Sequence, residues 1–110
     1  MLIFPLKKQW YEKIKSGEKT IEYREVKPYW TKRLKKEILW GGGSFTVIGN
    51  DWIACGNYKN HRCILRLGYT KQYMSAFVTR VQIVDGKGTD LAIDKPVYAI
   101  HLSNVREENK

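Results

Sequence analysis

Residues 17–24, Gly-Glu-Lys-Thr-Ile-Glu-Tyr-Arg, combine basic and acidic side chains at a spacing that permits chemistry. Glu22 and Arg24 are two positions apart, so on a strand both point to the same face. There a carboxylate and a guanidinium form a charge-assisted hydrogen bond, and Lys19 at the strand start is aimed to the same side. Such a cluster grips a phosphate or carboxylate, or acts as an acid–base set if burial shifts the pKa of the lysine. An ordinary salt-bridged surface strand has the same pattern, and the residues alone leave these interpretations open.

Two elements would position this cluster. Leu6, Trp10 and Ile14 recur every four residues, which predicts a helix over residues 6–16 that follows a short buried strand, residues 2–4, closed by Pro5. Gly17 suits the helix C-cap, where a positive φ is favoured. Alternating residues from Thr20 to Val26 then predict a strand, so the cluster lies where a helix turns into a strand.

A second helix is predicted to begin at Pro28, because proline suits the first helical turn. Trp30, Leu34 and Ile38 repeat the four-residue spacing and predict its buried stripe. Its other positions are strongly basic: Lys32, Arg33, Lys35 and Lys36. The glycines of residues 41–44 follow this helix with no Gly-Lys-Ser/Thr after them, which predicts a flexible connector and not a phosphate loop.

The rest of the chain alternates like β-structure, with strands predicted near residues 45–48, 63–69, 77–83 and 97–102. Residues 52–61 give the weakest pattern, which also allows one more short strand inside a loop. Five or six short strands and two helices predict an α+β fold, a small β-barrel with the helices packed at its rim. Closing a barrel removes the exposed strand edges that an open sheet has to protect.

The 110-residue chain carries 20 Lys and Arg against 11 Asp and Glu, a formal net charge of +9. Its length fits one domain spanning residues 1–110, and 43% hydrophobic residues suffice for a core, which excludes a two-domain enzyme. A basic surface attracts polyanions, of which nucleic acid is the commonest, although such a surface also serves solubility alone. No apolar run approaches a membrane span and the opening apolar run is too short for a signal peptide, so we expect a cytoplasmic protein.

The motif Gly-x-Lys-x-x-Glu-x-Arg, filled by Gly17, Lys19, Glu22 and Arg24, resembles the signature of the ASCH domain, a branch of the PUA-like superfamily. The aromatic pair before the motif, the run of residues 23–30 and the C-terminal strands are similar to a compact bacterial and phage-borne subgroup. The resemblance covers most of the chain, with residues 40–62 the least similar. It implies a PUA-like β-barrel that binds RNA or a nucleotide in a cleft lined by the signature residues.

Some members of that family are enzymes, and the resemblance implies an alternative function of that kind. One bacterial branch is a small amidohydrolase acting on N4-acetylcytidine, and others are proposed ribonucleases. Carried over, its lysine is Lys19, but its threonine position is occupied by Glu22, so the candidate nucleophile is missing. As an enzyme, the chain would use Lys19 and Glu22 in acid–base roles.

Further candidate ligand contacts are Tyr23 and Tyr69, which can stack on bases if exposed, and Lys71, at a loop after Gly68. The same residues also fit a core position and a plain hairpin end. Cys55, His61 and Cys63 do not make a convincing zinc set, because structural sites usually show two tight ligand pairs; reduced thiols are expected.

The favoured hypothesis is an RNA-binding or nucleotide-binding module that needs no metal or cofactor and does not enter membranes. A small hydrolase is the second hypothesis. The third is a protein-interaction domain in which the charged cluster is purely structural, favoured if its interactions survive nuclease treatment. The sequence leaves the oligomeric state and the ligand open.

Overall fold

A curled β-sheet and two helices make up the part of the chain described by this computed structural model, residues 2–40, 45–54 and 61–108. The strands are Leu2–Leu6 (β1), Ile21–Glu25 (β2), Phe45–Ile48 (β3), Asp51–Ala54 (β4), His61–Leu67 (β5), Tyr73–Asp85 (β6) and Pro96–Glu107 (β7). The helices are Lys8–Ser16 (α1) and Pro28–Leu34 (α2), and α2 continues into a π-helical turn, Lys35–Leu39. A 3-10 turn, Gly86–Gly88, follows β6.

The long strand β6 organises the sheet. One of its edges pairs with β7, and the other pairs first with β5 and then with β4, all antiparallel. β1 extends the sheet in parallel beyond β5, β2 pairs with β7, and β3 pairs with β4. Register shifts in the β6–β7 pairing, at Ser75/Phe77 and Val78/Arg80, let the sheet bend. The result is a half-barrel, so the predicted α+β class with a small barrel-like sheet and two helices is confirmed at that level.

The described strands number seven, where the sequence pattern predicts five or six. The additional strand is β4, within the stretch where the pattern is weakest. It forms a hairpin with β3 around Gly49, whose φ of +60° is the left-handed conformation that glycine adopts easily. The predicted connector at residues 41–44 and Cys55 lie outside the described residues.

Residues 5 and 6 differ from the prediction. Pro5 does not close β1, and Leu6 is a buried strand residue instead of the start of α1. Within residues 2–40, 45–54 and 61–108, β1 has a sheet partner on one side only, so a proline, which has no N–H to donate, is tolerated on its other side. The parallel pairing with β5 therefore carries the strand two residues further than the local sequence indicates.

The core forms between the sheet and the two helices. Ile14 of α1 and both Leu34 and Ile38 of the second helical segment are buried, as the four-residue spacing predicts. Tyr11 is the other buried residue of α1, whereas Trp10, which the spacing places in the stripe, is only partly buried. Trp30 is only partly buried and packs against the margin of the core. None of the described helices is long and apolar enough to cross a membrane.

Candidate functional site

Lys19, Glu22 and Arg24 converge on one another at the start of β2. Arg24 donates from Nε to Glu22 Oε2 at 2.9 Å, and its Nη2 lies 2.6 Å from the same oxygen. Lys19 Nζ is 3.6 Å from the other oxygen, Oε1. The two cations thus flank one carboxylate, and the two-residue spacing on a strand accounts for the Glu22–Arg24 contact, which confirms the expected hydrogen bond.

Arg24 also connects two edge strands that share no ladder in the described part of the sheet. Its Nη2 donates to the backbone carbonyl of Pro5 on β1 at 2.7 Å. Its guanidinium carbon lies 5.3 Å from the ring centroid of Phe4 and 4.9 Å from that of Trp30. Arg24 therefore bridges the open seam of the half-barrel, where β1 and β2 approach each other, through one hydrogen bond and two cation–π contacts.

Lys19 is enclosed by aromatic rings and a second carboxylate. Its Nζ lies 5.2 Å from the ring centroid of Trp10 on α1 and 5.0 Å from that of Tyr23. It donates a hydrogen bond to Asp90, which lies in the loop between the 3-10 turn and β7. The side chain of Lys19 is only 10% exposed, so this loop and the helix together cover the ammonium group.

The cluster is largely withdrawn from water, since the side chains of Glu22 and Arg24 are 7% and 18% exposed. Burial raises the pKa of Glu22 above its usual range, while the charges of Arg24 and Lys19 act in the opposite direction and Asp90 adds to the rise. Glu22 is thus a carboxylate in a low-dielectric position that depends on its two cations. With all four groups ionised, the two cations are balanced by two carboxylates.

Two concavities lie beside the cluster, and Trp10, Tyr23 and Asp90 line both of them. The larger, here called the main cleft, has a volume of about 490 Å³ and lies between the ends of β1 and β2. Lys19 lines only the smaller one, of about 340 Å³. The side chains that give the main cleft its chemical character are Trp10, Glu22, Tyr23, Arg24, Trp30 and Asp90.

The other candidates from the sequence are distributed unevenly. Tyr23 lines both concavities. Tyr69, 92% exposed, and Lys71 lie in the turn between β5 and β6 and line neither concavity. This turn is tied to the end of β1, because Gly68 N donates to the carbonyl of Leu6, a main-cleft residue, at 2.8 Å.

The cysteine and histidine candidates do not gather into a metal site within the described residues. Cys63 is a free, fully buried thiol on β5, and burial raises its pKa to about 12. Nε2 of His61 lies 3.7 Å from Glu37 Oε1. His101 is 2.7 Å from Gln82 Oε1 and does not line the main cleft.

Neither Trp10 nor Asp90 is predicted as a site residue, and Trp30, although able to stack on a base, is predicted to lie in the core. Trp10 and Trp30 occupy apolar helical stripes and look like core residues, yet both line the main cleft. Asp90 lies 71 positions from Lys19, and no local pattern distinguishes it from other loop carboxylates. For the two tryptophans a usable signal exists, because an indole at the margin of a helix stripe is large enough to reach past the core.

Comparisons with protein-family models, with curated proteins and with solved structures find no match to this chain.

Proposed function

We propose that this chain is an ASCH-type domain that binds RNA or a nucleotide-like anion in the main cleft. The observation that carries the proposal is the convergence of Lys19, Glu22 and Arg24 beside a cleft of about 490 Å³. Indole rings on both sides of that cleft, Trp10 and Trp30, offer stacking surfaces for a base. The net charge of +9 favours the approach of a polyanion.

Arg24 is the group best prepared to hold an anion. A guanidinium has five N–H donors. Three of them point to Glu22 and Pro5, and Nη1 has no protein acceptor among the described residues. Glu22 fixes the guanidinium plane, so Nη1 can donate to a phosphate without first being ordered.

Lys19 enters the proposal as an exchangeable contact. Its ammonium group is held by Asp90, and a ligand phosphate that takes the place of the Asp90 carboxylate gains the same hydrogen bond. Asp90 lines both concavities, so displacing it opens a path from the main cleft to the smaller concavity, which Lys19 lines.

The test is the titration of labelled single-stranded RNA at low and moderate salt, followed by fluorescence anisotropy. We expect affinity to fall as salt rises, because cation–phosphate contacts release counterions. Lys19→Ala combined with Arg24→Ala should weaken binding about tenfold or more, since each removes a charge-assisted contact. Chemical denaturation of the double variant checks that it is folded during the titration, because Arg24→Ala also removes the contact that joins β1 and β2.

The control removes the same charge elsewhere. Arg62→Ala combined with Arg106→Ala deletes two exposed cations on β5 and β7 that line neither concavity. Binding in the main cleft is contradicted if RNA affinity does not change with salt, or if it falls as much in this control as in the variant that combines Lys19→Ala with Arg24→Ala.

A hydrolase acting on a modified nucleoside or on RNA is the second candidate, favoured by one observation. Glu22 is a buried carboxylate of raised pKa, 3.6 Å from Lys19 Nζ and facing a cleft, which suits proton transfer. Incubation with N4-acetylcytidine and with RNA, followed by product analysis, tests it. If the wild type shows no more turnover than the Lys19→Ala variant, the hydrolase hypothesis is wrong, and the proposed binding function is not affected by that result.

A further inference from the structure

The outer surface of the second helical segment carries an exposed aromatic–cation group. Tyr29 is 57% exposed, and the guanidinium carbon of Arg33 lies 4.6 Å from the centroid of its ring. Lys32 and Lys36 complete a set with spacings of three, four and seven residues, which places all four on one helical face. Together with Glu37 they border a concavity of about 350 Å³. We call Tyr29, Lys32, Arg33 and Lys36 the α2 platform.

The cations of the α2 platform are available to an external anion. Lys32, Arg33 and Lys36 are exposed, and none forms an ion pair with a carboxylate of residues 2–40, 45–54 or 61–108. Glu37, the acid at the margin, approaches His61 at 3.7 Å. In the main cleft, by contrast, Arg24 and Lys27 already have the carboxylates of Glu22 and Glu25 beside them.

The α2 platform is continuous with the main cleft. Trp30 lines the cleft and lies against Arg24, with 4.9 Å between the guanidinium carbon and the indole centroid. The ring of Tyr29 meets that indole at 89°, with 5.0 Å between centroids. Two adjacent aromatic rings, Trp30 and Tyr29, thus lie between the guanidinium groups of Arg24 and Arg33.

We infer that the ligand is a single-stranded oligonucleotide that occupies both places. One nucleotide sits in the main cleft, and a flanking base stacks on the Tyr29–Arg33 pair while neighbouring phosphates contact Lys32 and Lys36. Bases stack on aromatic rings and guanidinium planes only where they are unpaired, which selects a single strand over a duplex. This inference rests on the proposed binding in the main cleft and adds a second site to it.

Length dependence of RNA binding tests the inference. Anisotropy titrations compare a labelled dinucleotide with an octanucleotide of the same composition. We expect Tyr29→Ala and Arg33→Ala to weaken octanucleotide binding at least about fivefold, the lower bound for losing one stacked base, and to leave the dinucleotide unchanged. Lys32→Ala with Lys36→Ala should lower the slope of log affinity against log salt by about 1.4, roughly 0.7 for each phosphate contact on a single strand.

Matched variants separate stacking from charge. Tyr29→Phe keeps the ring and should retain octanucleotide affinity. Arg62→Ala with Arg106→Ala removes two exposed cations from β5 and β7 and should change the salt slope less than the Lys32/Lys36 pair does.

Failure of the inference and failure of the proposed function give different results. If the octanucleotide binds no more tightly than the dinucleotide, or if Tyr29→Ala does not change octanucleotide affinity, binding at the α2 platform is wrong and binding in the main cleft is unaffected. If Lys19→Ala combined with Arg24→Ala leaves the affinity for both oligonucleotides unchanged, binding in the main cleft is wrong. Duplex RNA or heparin that competes as well as the single strand identifies a general polyanion surface and also overturns the inference.

Discussion

The Asp90 carboxylate occupies the place at Lys19 that an incoming anion needs. The contact joins residues 71 positions apart and is largely shielded by Trp10 and Tyr23. Because Asp90 and a ligand phosphate compete for one ammonium group, the strength of this contact subtracts from ligand affinity.

Replacing Asp90 with asparagine should therefore increase affinity for RNA. Asn keeps the shape and removes the charge, so about 1 kcal/mol of competing ion pairing is lost, which corresponds to about fivefold tighter binding. Anisotropy titration measures it. Asp94→Asn, in the same loop but paired with Lys87 at the surface, is the control and should have no effect. Weaker binding by Asp90→Asn would mean that Asp90 belongs to the ligand site.

The raised pKa of Glu22 predicts that RNA affinity increases as pH falls. Glu22 takes up a proton at a higher pH than an ordinary glutamate, which leaves Lys19 and Arg24 opposed by Asp90 alone, while RNA phosphates stay ionised. The increase between pH 7 and pH 5 should be larger for the wild type than for Glu22→Gln, in which position 22 does not titrate. Equal pH profiles for the two proteins would contradict this role.

The same shift has a consequence for stability. A carboxyl whose folded-state pKa lies above its unfolded value contributes stability below the unfolded pKa and loses it as pH rises through the folded one. Relative to Glu22→Gln, the free energy of unfolding of the wild type should decline from about pH 4.5 upward, the ordinary glutamate value. Urea denaturation at several pH values measures the difference, and a rising difference would reverse the assigned sign.

At the scale of elements, the seam of the half-barrel between β1 and β2 is held by the side chain of Arg24, because the described backbone of these strands forms no hydrogen-bonded ladder across it. Among the strands that the structure describes, β1 pairs with β5 alone and β2 with β7 alone, and Arg24 connects β2 to β1 through the Pro5 carbonyl. The 3-10 turn after β6 also helps to position the site, because it sets the path of the loop that carries Asp90.

Arg24→Ala should destabilise the fold by about 3 kcal/mol, because it leaves Glu22 buried with a weaker partner and the seam unbridged. Arg24→Lys should lose less, since it keeps the charge but not the fork that reaches both Glu22 and Pro5. Chemical denaturation measures both. Arg62→Ala, an exposed arginine, should change stability by under about 0.5 kcal/mol. Equal effects at positions 24 and 62 would contradict the bridging role.

Gly86→Ala should disrupt the loop that carries Asp90. A Cβ at Gly86 would lie 2.7 Å from the carbonyl oxygens of both Ile93 and Lys95, so backbone has to move. We expect a loss of about 1–3 kcal/mol, as for overpacking. Gly88→Ala, where an added Cβ meets nothing within 4 Å, is the control. Denaturation midpoints compare the two, and equal midpoints would contradict the close packing.

At the scale of the whole molecule, one core joins the strands and helices. Cys63 lies at the centre of it, fully buried on β5, with a pKa of about 12 because of burial. A thiol so placed reacts only when the surrounding core opens.

Labelling of Cys63 should therefore report global unfolding. In a Cys55→Ser background, which leaves Cys63 as the sole thiol, an aromatic disulfide reagent should label the native protein very slowly at pH 8. The rate should increase with denaturant in parallel with the loss of structure. Labelling at the rate of the unfolded chain without denaturant would contradict the packing of the core.

The periodicity of short segments correctly predicted the features that depend on residues close in sequence. The strand at residues 20–26 and the spacing of Glu22 and Arg24 placed two site residues on one face, and the contact is present. The stripe through Leu34 and Ile38 likewise predicted buried helix residues. These features follow from the pitch of a helix and the alternation of a strand, which any short segment carries in itself.

Only the tertiary structure decided which segments meet. The parallel β1–β5 pairing extended β1 through Pro5, the curl of the sheet brought β1 within reach of Arg24, and the loop before β7 delivered Asp90 to Lys19. Each contact joins residues distant in sequence, so it depends on the pairing of whole strands and the packing of a shared core. No spacing within a short window records that choice, because the free energy that makes it comes from burying all the elements together.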